Sequence, residues 1–143
     1  MQTKGINHLA LVCRDMAETQ AFYTKVLGMP LVKTITLPDG GQHFFFDCGG
    51  GNLLAFFWWE NAPAAAPGIA SVADFPSKPR SAVGSMNHVA FSVDEDELAP
   101  AIERLKAAGG AVLIGPFQVP TGGWIVQGAD LQGASFCLLS ANK

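Results

Sequence analysis

The sequence is short of charge, and its charged residues are not clustered. Nine basic residues stand against twelve acidic ones in a chain of 143, giving a net charge of −3. Nucleic acids and anionic membranes are recognised by clustered lysine and arginine, so the sequence predicts neither as a partner. Long hydrophobic runs are also absent. The longest apolar run, Leu53–Trp59, falls well short of the roughly 20 residues that a membrane-spanning helix needs.

Cysteine is scarce as well. The three cysteines, Cys13, Cys48 and Cys137, are odd in number and lack zinc-finger spacing. The sequence therefore predicts no disulfide framework. The N-terminal residues do not contain the apolar core of a secretory signal peptide, which favours a reducing cytoplasm as the location.

One short pattern occurs twice. Ile6–Val12 reads INHLALV and Met86–Val93 reads MNHVAFSV, so an Asn-His pair opens an apolar, β-prone run in each copy. A duplicated module brings equivalent strands together around a pseudo-two-fold axis. We therefore expect His8 and His88 to meet in space although they are far apart in the sequence.

Each copy continues with one predicted helix and three predicted strands. The helices begin at the capping residues Asp15 and Asp94 and end at Gly28 and Gly109. The predicted strands are Leu31–Leu37, His43–Asp47 and Asn52–Trp58 in the first half, and Ala111–Val119, Trp124–Gln127 and Ala134–Leu139 in the second. Both halves therefore read βαβββ, which is the pattern of an internal repeat.

The repeat predicts a domain organisation. Residues 1–60 form the first module, residues 85–143 form the second, and residues 61–84 form an Ala- and Pro-rich linker or flap between them. Modules of roughly sixty residues bury little surface alone, so we expect the two to form one compact unit.

These features resemble the vicinal-oxygen-chelate family, which includes glyoxalase I, extradiol ring-cleaving dioxygenases and bleomycin-binding proteins. The resemblance rests on the paired modules, the two Asn-His strand openings and the helix ending FYTKVLGM at Phe22–Met29. It implies an α+β fold in which two tandem βαβββ modules form an incomplete barrel-like curved sheet around a cleft. The activity is a separate question, because one scaffold hosts many chemistries.

The resemblance also implies four metal-ligand positions, which here are His8, Ala55, His88 and Cys137. Family members commonly have glutamate at the last of these. Cys137 is therefore either a thiolate ligand, which favours zinc or another soft metal, or a small buried apolar residue. Each histidine is likewise either a ligand or a structural hydrogen-bonding residue. The implied cofactor is a divalent ion of iron, zinc, manganese or nickel.

Aromatic residues crowd into two of the predicted strands. Strand alternation places Phe57 and Trp59 on one face, and we expect these residues, with Phe45 and with Trp124 of the second half, to bind a small hydrophobic or aromatic molecule. The alternative is a dimer interface or a plain core.

His43 shares a predicted strand face with Phe45 and Asp47. One interpretation makes it an acid–base catalyst, because the pKa of histidine lies near neutrality. The other makes it an imidazole at a strand edge, anchored to Asp47 or to solvent.

Two functions of different class are consistent with these features. The preferred one is a metal-dependent enzyme of the glyoxalase or dioxygenase type, in which the metal chelates two vicinal oxygens of a small substrate. The alternative is a metal-free protein that sequesters a small molecule, as the bleomycin-resistance branch does. A homodimer is expected in either case, because short two-module chains of this family commonly pair.

Overall fold

The computed structural model describes residues 6–62, 88–119 and 122–140. The chain divides into two compact units, Met1–Ala64 and Ala65–Lys143. Most of the predicted linker at 61–84 lies outside the described residues, so the linker and the predicted module boundaries stay predictions. Within the described residues, neither helix is long and apolar enough to cross a membrane.

The first unit consists of one strand, one helical segment and three further strands. Its elements are β1 (His8–Val12), α1 (Met16–Ala21), which continues as a π-helical turn (Phe22–Val26), β2 (Leu31–Thr36), β3 (Gln42–Asp47) and β4 (Leu53–Trp58). They form one four-stranded sheet in the order β1-β4-β3-β2. Strands β1 and β4 pair in parallel, and the other neighbours pair antiparallel.

The second unit repeats this arrangement. Its elements are β5 (Val89–Ser92), α2 (Glu95–Ala107), β6 (Ala111–Gln118), β7 (Trp124–Ala129) and β8 (Ser135–Leu139). The sheet order is β5-β8-β7-β6, again with one parallel pair, between β5 and β8. The prediction of two tandem βαβββ modules is therefore confirmed.

Local sequence explains where α1 begins and where its continuation ends. The carboxylate of Asp15 accepts a hydrogen bond from the backbone N–H of Glu18 at 2.8 Å, which satisfies one of the donors left free at a helix start. Gly28 follows the π-helical turn with φ +69°, a backbone conformation that residues with a Cβ rarely adopt.

The core of the first unit lies between the helical segment and one face of the sheet. Tyr23 is 2% exposed, and its ring centroid lies 4.7 Å from that of Phe56 and 5.8 Å from that of Phe46. Leu54 is buried on the same face by strand alternation. Side chains of the opposite parity, including Phe45 and Phe57, therefore project from the other face.

The two sheets correspond residue by residue at their parallel pairs. Ala10 pairs with Ala55 in the first unit, and Ala90 pairs with Cys137 in the second. His8 and His88 each stand two residues before the paired alanine. The register therefore makes Cys137 the structural equivalent of Ala55, as the sequence comparison of the two halves predicts.

A β-bulge also recurs in both units. In the first it lies between Leu31 and Lys33, so that Lys33 pairs with Phe45 although Leu31 pairs with Phe46. In the second, a register shift between Val112 and Ile114 sets Ile114 opposite Gln127. Each bulge advances its strand by one residue, which changes the side chain presented to one face of the sheet.

Candidate functional site

Four rings in contact cover part of the sheet face that lies away from α1. We call Phe45, His43, Phe57 and Trp59 the aromatic row, because each ring contacts the next. The ring centroids of Phe45 and His43 are 4.1 Å apart, those of His43 and Phe57 are 3.6 Å apart at an interplanar angle of 16°, and those of Phe57 and Trp59 are 5.0 Å apart at 4°. Strands β3 and β4 produce this order because His43 and Phe57 are cross-strand partners.

Exposure changes along the aromatic row. Phe45 and His43 are each 7% exposed, whereas Phe57 and Trp59 are half-buried. Aromatic rings with a few polar groups are the usual lining of small-molecule sites. The half-buried pair is thus the part of the row that a planar ligand can contact.

His8 lies beside the Phe45 end of the row. Its ring centroid is 5.5 Å from that of Phe45 and 6.2 Å from that of His43. The Nδ1 of His8 lies 2.9 Å from Oδ1 of Asn7. An amide oxygen only accepts hydrogen bonds, so this contact is a hydrogen bond in the tautomer with the proton on Nδ1, and that tautomer keeps the lone pair on Nε2. This pairing gives a structural reason for the Asn-His pattern at the start of β1.

His43 is held inside the sheet, not at an edge. Its strand, β3, lies between β2 and β4, and Oδ1 of Asp47 accepts a hydrogen bond from the backbone N–H of Gly49 at 2.7 Å. The second interpretation of His43 makes it an imidazole at a strand edge, anchored to Asp47 or to solvent, and the edge position in that interpretation is wrong. Its Nε2 is buried and has no hydrogen-bond partner among the described residues.

The surroundings of His43 lower its pKa. Loss of hydration on burial is the main cause, and electrostatic interactions with His8 and Lys33 act in the same direction. The imidazole is therefore neutral at neutral pH. Buried polar atoms normally have partners, so the unpartnered Nε2 needs an explanation, and one explanation is a role in function.

Two neighbours of the row were not among the residues predicted from sequence. Lys33 is exposed and places its Nζ 5.2 Å from the ring centroid of Phe45. Gly41 lies against Trp59, because a Cβ at Gly41 would stand 2.7 Å from two atoms of the indole. The hairpin register could have indicated Lys33, but only with the bulge in β2 known.

In the second unit, the Cys137 side chain is buried. It is 1% exposed, and burial raises the pKa of its thiol, so the thiol is protonated at neutral pH. Its cross-strand partner on β7 is Gln127, whose Nε2 donates to Oγ of Ser135 at 2.8 Å. The equivalent position in the first unit, Ala55, is 0% exposed and offers no donor atom for a metal.

His88 and Trp124 complete the predicted set. His88 is exposed and directly precedes β5. Because side chains alternate along a strand, Trp124 and Gly128 lie on the same face of β7, and Gly128 packs against Leu105 of α2. Cys137 lies on the opposite face with its cross-strand partner Gln127.

The structure thus brings five predicted site residues into one contact network. They are His8, His43, Phe45, Phe57 and Trp59. The other three, His88, Cys137 and Trp124, belong to the second unit. Across the part of the chain that the structure describes, no group of three or more His, Cys, Asp or Glu side chains is placed to hold a metal ion.

Comparisons with known proteins agree on the fold. A family model described as the Glyoxalase/Bleomycin resistance protein/Dioxygenase superfamily matches residues 5–138. Over 32% of the chain, 48 residues, the sequence is 46% identical to the Bacillus subtilis protein named "Putative ring-cleaving dioxygenase MhqE". That match covers only 16% of the Bacillus protein.

Two solved structures illustrate the fold match. A glyoxylase/bleomycin resistance protein/dioxygenase domain from Frankia sp. EAN1pec superposes with a TM-score of 0.77 at 20% identity, covering 99% of this chain and 95% of that one. A variant of FosX from Listeria monocytogenes, complexed with Mn(II) and 1S,2S-dihydroxypropylphosphonic acid, gives a TM-score of 0.69 at 18% identity, covering 99% and 93%. At these identities the likeness concerns the fold alone.

Proposed function

Because the chain belongs to the Glyoxalase/Bleomycin resistance protein/Dioxygenase superfamily, we propose that it is a metal-dependent enzyme of the glyoxalase or dioxygenase type. Its substrate is a small aromatic molecule that offers two vicinal oxygens to the metal. The local similarity to a protein named as a ring-cleaving dioxygenase supports an aromatic substrate.

One observation carries the proposal: the aromatic row ends beside His8. A ring that stacks on the row gains apolar burial and offset stacking contacts. The 5.5 Å between the ring centroids of His8 and Phe45 brings a ligand on this face within reach of the His8 imidazole. The aromatic row and the proposed metal ligand His8 thus lie next to each other within one unit.

His8 suits a metal on chemical grounds. Metal-binding histidines are neutral, and their second ring nitrogen is usually held by an acceptor. His8 has this arrangement in the tautomer that donates from Nδ1 to Oδ1 of Asn7, in which Nε2 is free to coordinate. On the sequence repeat we propose His8 and His88 as the ligands. A bound iron, zinc, manganese or nickel ion would polarise the vicinal oxygens, and the FosX complex with Mn(II) is a precedent within this fold.

His43 is assigned the proton-accepting role. Its buried Nε2 has no partner within the described chain, so a hydroxyl group of a bound substrate can donate to it without displacing another hydrogen bond. The stack of Phe45 and Phe57 around the imidazole fixes the plane of its ring. The residue can therefore accept a proton from a fixed position.

The test is metal analysis of tag-free protein by inductively coupled plasma mass spectrometry. We expect about one metal ion per chain in the wild-type protein, and loss of that metal in His8→Ala and in His88→Ala. The matched control is His43→Phe, which removes the third histidine and should retain the metal while losing turnover. Iron would indicate oxygen chemistry, whereas zinc, manganese or nickel would indicate Lewis-acid catalysis.

Wild-type protein that holds no metal and takes none up from solution would contradict the enzyme proposal. So would a metal content that the His8→Ala and His88→Ala variants leave unchanged. Circular dichroism of each variant establishes that the fold is retained, which is expected because His8 and His88 are both exposed.

A second candidate is metal-free sequestration of an aromatic compound. It is favoured by the side chains at two implied ligand positions, since Ala55 has no donor atom and Cys137 is buried. In that case, affinity for an aromatic ligand survives EDTA and falls in Trp59→Ala. A tryptophan-fluorescence titration in EDTA that shows no binding, or binding that Trp59→Ala does not weaken, would exclude it.

We further propose that the protein is a homodimer and that it binds a small molecule. Light scattering coupled to size-exclusion chromatography measures the mass in solution. A mass close to twice the 15.1 kDa of the chain is expected.

A further inference from the structure

We propose that Lys33 makes the aromatic row selective for an aromatic anion, with the ligand ring on the row and its carboxylate paired with the Lys33 ammonium. This inference rests on the proposed function only in placing the substrate ring on that row. It specifies the charge of the substrate, which membership of the superfamily does not.

Lys33 is the first observation. It projects from β2 opposite Phe45, and its Nζ stands 5.2 Å from the centroid of that ring. The described residues contain three ion pairs, Arg14–Glu18, Arg104–Glu97 and Lys106–Glu103, and Lys33 belongs to none of them. An exposed ammonium that lies over a ring and is not neutralised by a carboxylate is available to a ligand anion.

The distribution of charge is the second observation. After burial, which is the main cause, the ammonium of Lys33 also lowers the pKa of His43, so its positive charge reaches the imidazole as well as the Phe45 ring. Asp39 and Asp47 are equally near His43 in the sequence, and the Oδ1 of each accepts a hydrogen bond from the backbone N–H of the glycine two residues further on. The Phe45 end of the row thus carries the positive charge of Lys33 in a chain whose net charge is −3. Such local reversal of sign favours an anionic ligand.

The unpartnered Nε2 of His43 is the third observation. His43 lies between the ring of Phe45, which has the ammonium of Lys33 above it, and the ring of Phe57, which stacks on Trp59. A hydroxylated aromatic acid satisfies all three features at once. Its ring stacks on the half-buried part of the row, its hydroxyl donates to Nε2, and its carboxylate meets Lys33.

The experiment compares two probes that share a vicinal diol and differ in charge, 3,4-dihydroxybenzoate and 4-methylcatechol. Binding is measured by tryptophan fluorescence, with metal present and again in EDTA. We expect the wild-type protein to bind the carboxylate about twofold to fivefold more tightly, the range of one exposed ion pair. Lys33→Met, which keeps length and removes charge, should abolish that preference, and Lys33→Arg should retain it.

Lys25→Met is the matched control, because Lys25 is also exposed but belongs to the π-helical turn and not to the sheet. It should leave both affinities unchanged. Equal binding of the two probes by the wild-type protein overturns the inference, as does an equal loss for both probes in Lys33→Met or no binding of either probe. If the purified protein holds no metal and takes none up, the enzyme proposal fails. A preference for the carboxylate that persists in EDTA then still supports the inference.

Discussion

Replacing His43 with phenylalanine should stabilise the protein. The buried Nε2 has no partner within the described chain, and an unsatisfied buried polar group costs about 1–3 kcal/mol. Phenylalanine keeps the stack on Phe57, whose centroid lies 3.6 Å away, so the stacking energy is largely retained. The larger ring brings an overpacking cost of about 1 kcal/mol. The expected net gain in the free energy of unfolding is therefore about 1 kcal/mol, or roughly 3 °C in Tm.

Urea denaturation of the wild-type protein and of His43→Phe measures this difference. The repeat offers a matched reverse change, because Ile125 pairs with Leu139 in the second unit as His43 pairs with Phe57 in the first. Ile125→His should destabilise by about 1–2 kcal/mol, since it adds a polar group to a half-buried apolar position. A loss of more than about 1 kcal/mol in His43→Phe would refute the reasoning, because it would mean that Nε2 is satisfied in solution.

Three further predictions concern other parts of the fold. Gly41→Ala should displace the indole of Trp59, because the added Cβ would stand 2.7 Å from it, and a shift in tryptophan emission together with weaker aromatic binding would report this; an unchanged spectrum would count against the contact. Leu105→Ala, at a site 2% exposed, should lower the free energy of unfolding by about 2–5 kcal/mol, whereas Leu113→Ala, at a site 49% exposed, should change it by less than about 0.5 kcal/mol. Comparable effects would place the core of the second unit elsewhere. The pKa of Cys48 is raised by burial, and an adjacent carboxylate adds to the shift, so iodoacetamide at pH 8 should modify its thiol more slowly than free cysteine, with the gap closing as the pH rises; equal rates at pH 8 would contradict this.

The order of elements could be predicted from the sequence because each signal is local. The capping residue Asp15 and the positive-φ Gly28 bracket the helical segment, and they act through the backbone of their own neighbours. The predicted strand His43–Asp47 differs from β3 by one residue. The π-helical turn at Phe22–Val26 could not be predicted, because its apolar spacing is compatible with an ordinary α-helix.

The candidate site was predictable to the extent that it depends on strand alternation. A period of two places His43 and Phe45 on one face wherever the strand lies in the sheet. The position of β3 inside the sheet was not predictable, since it depends on which strands become neighbours. The edge interpretation of His43 was wrong for that reason. The positions of Lys33 and Gly41 depend on cross-strand register, which long-range pairing determines.

The bulge in β2 shifts by one residue the pairing of that strand with β3. If the strand ran without it, the pairing of Leu31 with Phe46 would continue as Val32 with Phe45, and an apolar side chain would occupy the place of the ammonium. The second unit has the same shift, and there it presents Ile114 to Gln127. One extra residue at the corresponding place in β2 and β6 therefore determines which side chain of each strand faces its partner strand. Deleting Val32 would remove the bulge and leave Lys33 opposite Phe45, because Leu31 and Lys33 already pair with adjacent residues of β3.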